Sequence, residues 1–241
     1  MRITRVFQKI LLKEGIEIAL DEEASHHISR VLRMPEAANI IIFNGDGGEY
    51  QATIIKNDKH HTYVKTKKCI HQYYPSPLKI HLGQVMSRGD KMDFSIQKAV
   101  ELGVNEITPL MSAHCEVKLS GERADKKQTH WEKIIIHACE QCGRTDIPVL
   151  NKIQTLNEWM PSISSPIKLM CHPNSHTRFK ELKIEKEVSI LIGPEGGFSE
   201  NEIELAKATQ FNIVQLGPRV IRTETAGLTI ISILQGLFGD I

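Results

Sequence analysis

Apolar residues recur along this chain in two different rhythms, and the rhythm changes once. Up to about residue 70 they fall mostly in strand-like runs: Asn39–Phe43, then Tyr50–Ile55 and Tyr63–Ile70 with alternation. The turn Asn44-Gly-Asp-Gly-Gly48 joins the first two as a hairpin. One helical period interrupts over Glu22–Met34, and Pro35 stops it. At His71-Gln-Tyr-Tyr-Pro-Ser-Pro77, two prolines close to two tyrosines break all periodicity, which predicts a linker. Beyond it, strand and helix alternate. Leu78–Met86, Ile107–Met111, Ile167–Met170, Val188–Ile192 and Ile213–Leu216 read as strands. Lys91–Leu102, Lys126–Cys142, Glu200–Thr209 and Thr225–Phe238 read as helices. Such alternation predicts a mainly parallel sheet covered on both faces. The pattern therefore predicts two domains: a small β-rich one over residues 1–72 and an α/β one over residues 76–241.

Composition adds a warning about averages. The chain has 241 residues, with 30 Lys and Arg against 29 Asp and Glu, a net charge of +1. That balance excludes an acidic disordered chain and a histone-like basic one, and taken whole it argues against a nucleic-acid binder. Divided at the linker, residues 1–74 carry a net +2 and the remainder −1. Arg2, Arg5, Lys9 and Lys13 precede any acid, so the first thirteen residues carry +4. In the first predicted helix Ala24, Ile28, Val31 and Leu32 form an apolar stripe, while His26, Arg30 and Arg33 line another face. A row of cations of this kind fits a phosphate-tracking surface, and equally an ordinary solvated face.

The opening residues contain no apolar core of signal-peptide length. The longest uncharged stretch, Thr225–Gly239, is too short and too polar to span a bilayer. Five cysteines without framework spacing suit a reducing cytoplasm. Cys139-x-x-Cys142 has no second pair and lies in a predicted helix, so no metal site is expected.

Two segments place a glycine-rich turn directly after an apolar strand. In Val188–Glu202, Ser199 and Glu202 form a capping box that starts the next helix. Strand, glycine turn and capped helix often cradle a nucleotide. The G-K-[ST] ending of a P-loop and the G-x-G-x-x-G dinucleotide pattern are both missing, and Glu195 in the turn would repel a pyrophosphate. Such a loop suits a ligand without phosphates. In Ile213–Ala226 a second strand runs through Gly-Pro into irregular backbone carrying Arg219, Arg222 and Glu224. Two such loops on neighbouring strands predict a cleft at the strand C-terminal ends. A Ser/His/Asp hydrolase is disfavoured, because no G-x-S-x-G elbow occurs.

Several runs resemble one family over essentially the whole chain. They are V-L-R at Val31–Arg33, H-L-G-Q-V-M-S-R-G at His81–Gly89, Q-K-A-V-E-L-G-V at Gln97–Val104 and A-C-E-Q-C-G-R at Ala138–Arg144. L-I-G-P-E-G-G at Leu191–Gly197 and L-G-P-R-V-I-R-T-E-T-A at Leu216–Ala226 complete the set. The chain resembles the RsmE family of SPOUT-class RNA methyltransferases, which methylate N3 of a uridine in 16S ribosomal RNA. The resemblance implies a C-terminal α/β domain with a deep trefoil knot and an N-terminal PUA-like β-barrel. It also implies a homodimer acting on the small ribosomal subunit. The implied cofactor is S-adenosylmethionine, held around Leu191, Ile192, Gly193, Gly196, Leu216, Gly217 and Ile221, with Thr225 and Ala226 nearby.

On that reading Arg222 stabilises charge or orients a base, and Glu224 and Glu195 are the carboxylates placed to take a proton or to face the sulfonium. Either carboxylate could equally be a helix-start residue favoured by the dipole. Arg2, Arg5, Arg30, Arg33, Arg88 and Arg144 are the expected RNA-binding groups. Methylation of a ribose 2′-OH or of another base remains an alternative, as does a non-catalytic ribosome-assembly factor that binds RNA.

Overall fold

The computed structural model describes residues 3–58, 60–72, 75–173, 175 and 186–241. The contacts divide the chain into two units, Met1–Pro75 with Ile136–Ile147, and Ser76–Ile135 with Pro148–Ile241.

The first unit is built on β1 (Arg5–Phe7), β2 (Glu17–Ala19), β3 (Asn39–Phe43), β4 (Gly48–Asn57) and β5 (Thr62–Gln72). Three strands carry the predicted apolar runs, and the hairpin β3–β4 sets Ile40 opposite Ala52 and Ile42 opposite Tyr50. β1 and β2 escape the pattern because three residues are too few to show alternation. The strand order is β1-β3-β4-β5-β2, with β1 parallel to β3 and every other ladder antiparallel. Ile18, Leu20, Ile28, Ile40, Ile42, Ile54 and Val64 form its core. Among the described residues β1 and β2 share no ladder, so the five strands run in one order from the edge β1 to the edge β2.

Helix α1 (Glu22–His26) starts at Asp21, whose carboxylate accepts from Ala24 N at 2.8 Å. It does not continue as an α-helix. A π-helical turn, His27–Val31, follows, with Leu32 N donating to His27 O at 2.9 Å. This corrects the expected apolar stripe. Ile28 is buried, but Val31 and Leu32 are exposed, because the wider turn shifts every later side chain off the 3.6-residue period.

The second unit contains β6 (Lys79–Val85), α2 (Asp90–Glu101), β7 (Glu106–Met111), β8 (Val149–Leu150), β9 (Gln154–Thr155) and α4 (Leu156–Ser162). β10 (Ile167–Cys171), β11 (Glu187–Ile192), α5 (Glu200–Ala208), β12 (Asn212–Val214) and α6 (Thr223–Phe238) complete it. Helix α3 (Glu122–Cys142) belongs to this unit as far as Ile135 and to the first from Ile136. The sheet order is β12-β10-β11-β6-β7-β8, with β9 also on β7, and every ladder is parallel. From β6 the chain builds outward through β7 on one side; β11, β10 and β12 lie on the other. The order therefore reverses between β6 and β11, a switch point whose C-terminal side is where open α/β sheets bind ligands.

β6 and β11 are central, with Ile80, Leu82, Val85, Val188, Ile190 and Leu191 buried beside the equally buried polar Gln84 and Ser189, as strands covered on both faces require. Gly83 in β6 has no room for a side chain, since a methyl there would stand 2.5 Å from Trp159 Cη2. α4 was not anticipated: it is short and holds Pro161, but a Thr155–Glu158 capping box starts it and Trp159 anchors it in the core. The uncharged segment predicted as a helix is α6, whose Gly227, Ile230, Ile231 and Leu234 are buried. Its Gln235 accepts from Ser76 Oγ at 2.9 Å and donates to Gly103 O at 3.2 Å. No helix among the described residues is long and apolar enough to cross a membrane.

Candidate cofactor site

A cavity of about 380 Å³ opens at the C-terminal ends of β10, β11 and β12, walled by the loops that follow them. The loop after β11 is held from both ends. Gly197 N donates to Pro194 O at 3.0 Å across a turn in which Gly197 takes φ +71°, left-handed backbone that glycine adopts without strain. At its far end Ser199 caps α5, and the buried Glu202 carboxylate accepts from Ser199 N at 2.8 Å. The other Glu202 oxygen accepts from Ala113 N at 2.7 Å, which ties the loop after β7 to the capping box. The Phe198 ring packs beneath Gly193, where a methyl would stand 2.7 Å from it.

The loop after β12 runs through Leu216 and Gly217 to Arg222, the N-cap residue of α6. Arg222 O accepts from Thr225 N at 2.9 Å and Ala226 N at 2.8 Å, so its backbone starts the helix and leaves the guanidinium uncommitted to capping. Ile192, Leu216, Ile221 and Ala226 give the cavity apolar walls, and Glu195, Arg222 and Glu224 charged ones. The structure thus brings together residues from both glycine loops. Of the other residues expected there, Gly193 and Gly217 line the cavity, whereas Leu191, Gly196 and Thr225 do not. The Leu191 side chain is buried in the sheet, and Gly196 lies against His114.

Electrostatics separate the two carboxylates. Lys91 Nζ lies 2.9 Å from Glu195 Oε1. The hydrogen bond from Lys91 holds the Glu195 carboxyl below the usual carboxylate range, and the same bond raises the lysine. Both groups are therefore charged at neutral pH. Glu224 also lines the cavity, but its Oε2 is buried without a hydrogen-bond partner. A buried acceptor left unmatched carries a desolvation cost, and a ligand donor would remove it. Lys91 was missed by sequence reasoning. It was legible only as a residue near the start of a helix, with nothing to connect it to a loop 104 residues later.

The expected RNA-binding arginines divide. Arg30, Arg33 and Arg88 are exposed, Arg88 with its Nε 2.6 Å from Glu116 Oε2. Two are corrected. Arg5 pairs with Glu49 in a buried contact, donates to Arg144 O at 3.0 Å and lies over the Phe43 ring. Arg144 is buried and holds Asp146 through Nε at 3.1 Å and Nη2 at 2.6 Å. Both guanidiniums serve the interior of the first unit and present no free fork to a phosphate. Arg2 lies outside the described residues. Among those residues no group of three or more His, Cys, Asp and Glu could hold a metal ion. Burial pushes the Cys139 thiol up to about 12, and it donates to Asp146 O, so it behaves as a structural thiol.

A parallel α/β sheet with such a cavity at the C-terminal ends of its strands defines a cofactor-binding domain, here joined to a small β unit. Comparison with known proteins makes this specific. Residues 74–235 match the RNA methyltransferase domain family, and residues 20–67 match the RNA methyltransferase PUA domain. The chain is 39% identical over 242 residues to ribosomal RNA small subunit methyltransferase E of Buchnera aphidicola from Schizaphis graminum. That match covers 100% of this chain and 98% of its relative. A putative methyltransferase from Legionella pneumophila, solved in complex with the bound cofactor SAM, superposes with a TM-score of 0.97 at 40% identity, covering 100% of both chains. The ribosomal RNA small subunit methyltransferase E of Neisseria gonorrhoeae, solved bound to S-adenosyl methionine, gives 0.93 at 34% identity, again covering 100% of both. The chain belongs to the ribosomal RNA small subunit methyltransferase E family.

Proposed function

We propose that this protein transfers a methyl group from S-adenosylmethionine to N3 of a specific uridine in 16S ribosomal RNA of the small subunit. The observation that carries the reading is the unpartnered Glu224 Oε2 in the wall of the cavity at the C-terminal ends of β10, β11 and β12. The residues present fit the cofactor. A cavity of about 380 Å³ lies in the size range of small-molecule sites, about 300–1,000 Å³. Its apolar walls suit an adenine and an aliphatic chain, and two carboxylates with no phosphate-binding lysine motif suit a cationic, phosphate-free ligand. The reading includes the deep trefoil knot of the SPOUT class and a homodimer, for which α6 offers the exposed Leu237.

When bound, S-adenosylmethionine supplies an electrophilic methyl carbon on a sulfonium. Uracil N3–H is a weak acid, and the nitrogen becomes a nucleophile as its proton leaves. Glu224 takes that proton, since its buried oxygen has no competing donor. Glu195, already engaged by Lys91, stays an anion and contributes a fixed negative charge to the cavity wall. The Arg222 guanidinium stabilises negative charge on uracil O2 or O4 as the proton departs. Arg30, Arg33 and Arg88 engage phosphates of the RNA.

The test is methyl transfer to small ribosomal subunits from cells lacking the enzyme, followed by mass-spectrometric mapping of the nucleotide. N3-methyluridine at one position is the expected product. A methyl on a ribose or on another base would redirect the assignment. No transfer together with no calorimetric heat from S-adenosylmethionine would favour a non-catalytic assembly factor.

A further inference from the structure

The π-helical turn of the first unit leaves two apolar side chains in solvent. Val31 is 59% and Leu32 42% exposed, although Ile28 in the same turn is fully buried. The protrusion is anchored on both sides. Ile28 belongs to the core and Met34 packs against it, with Met34 N donating to Ile28 O at 3.0 Å. Between them Arg33 takes φ +50°, a backbone region that a non-glycine residue keeps only where its surroundings hold it. Beyond it, Ala37 N donates to Ile54 O at 2.8 Å and fastens the chain to β4. A wide turn and a left-handed non-glycine residue within seven positions are features that concentrate at functional sites.

Cations surround the protrusion. His26, His27, Arg30 and Arg33 are all exposed, and neither Arg30 nor Arg33 has an ion-pair partner among the described residues. The nearby acids are placed elsewhere. Glu22 and Glu23 occupy the opposite end of α1, and Glu36 accepts from Asn57 N. Two apolar side chains on a rigid turn between free guanidiniums match the chemistry of a nucleic-acid wedge. Apolar residues enter between bases while neighbouring cations take the flanking phosphates. A second copy of this chain is a poor occupant, because two-fold pairing of the patch would bring like-charged arginines together over only two apolar residues.

We propose that Val31 and Leu32 form an apolar wedge that inserts between bases of the RNA substrate, with Arg30 and Arg33 on the adjoining phosphates. The proposal rests on the reading above that RNA is the substrate.

The experiment measures binding of the full-length protein to small ribosomal subunits from cells lacking the enzyme, between 50 and 200 mM salt. Leu32→Ser should weaken binding about tenfold at every salt concentration and leave the log–log salt slope unchanged. Leu32→Met should restore near wild-type affinity. Arg30→Ala should instead reduce the slope by about one. Calorimetric affinity for S-adenosylmethionine and the melting temperature should match wild type in all three. Leu32→Ser binding and methylating like wild type would overturn the wedge. So would a change in molar mass by light scattering, which would give the surface to a second copy. Wild-type protein that neither binds nor methylates the subunits would overturn the RNA reading and the wedge together.

Discussion

Lys91 Nζ and Glu195 Oε1 stand 2.9 Å apart at the cavity wall, joining the first turn of α2 to the loop after β11 across 104 residues of sequence. The pair leaves Glu195 an anion and Glu224 the carboxylate with an open oxygen. Both partners are partly exposed, at 37% and 44%, so water screens their attraction. Lys91→Met should therefore change cofactor affinity by less than about tenfold. Titration calorimetry on Lys91→Met, Glu195→Gln and the double variant should reveal coupling at neutral pH. Glu195 is held below its ordinary pKa, so the coupling is full above the usual carboxylate range and disappears as pH falls through the depressed value. Coupling that persisted with Glu195 protonated would contradict an ion pair.

Glu224→Gln should lower kcat for methyl transfer by about 10²- to 10⁴-fold, the usual contribution of a positioned base. Cofactor affinity should stay within about tenfold, because the isosteric amide keeps the cavity's shape. Unchanged kcat would mean that the proton leaves directly to water.

The contact between Gly83 and Trp159 forecasts a stability effect. A methyl at Gly83 would lie 2.5 Å from Trp159 Cη2 and 2.9 Å from Leu110 Cδ1, inside a fully packed sheet. Gly83→Ala should cost about 1–3 kcal/mol, the usual range for overpacking a core. Urea unfolding followed by tryptophan fluorescence would detect the loss, and an unchanged midpoint would show that the indole can move aside.

Glu140 gives a pH-dependent case. Its carboxylate accepts from Phe7 N at 2.9 Å, yet burial, the largest influence, raises its pKa. A raised acid keeps its proton longer in the folded state, so wild-type stability falls as pH rises from the ordinary carboxylate value through the raised one. Glu140→Gln preserves an acceptor for Phe7 N and removes the charge. The variant should match wild type in acid and be the more stable of the two at pH 7, measured by denaturant titration at both pH values. Equal stability at pH 7 would contradict the burial penalty.

Much of the fold was legible in the chain. The runs around Ile40, Tyr50 and Tyr63 became β3, β4 and β5, and the alternation after residue 76 became a parallel sheet. Both glycine loops line one cavity, as strand-to-turn-to-helix grammar indicated. Elements shorter than their own period were not legible: β1, β2, β8 and β9 have two or three residues each. A 3.6-residue period over Glu22–Met34 puts Val31 and Leu32 on the buried face, and one π-helical turn is enough to turn them outward.

Arginines show most directly where local reading stops. Arg5, Arg30, Arg33 and Arg144 look alike as charged letters in the sequence. Burial beside Glu49 and Asp146 assigns Arg5 and Arg144 to the interior, and exposure leaves Arg30 and Arg33 free. By itself the sequence determined the parallel sheet and the two glycine loops that line one cavity. These follow from periodicity and turn chemistry, which are properties of neighbouring residues. Only the tertiary structure decided which carboxylate has a partner, which cations reach solvent and which apolar side chains do not. Each of those depends on groups brought together from distant parts of the chain, and a charge or a methyl group acquires its energy only from its surroundings.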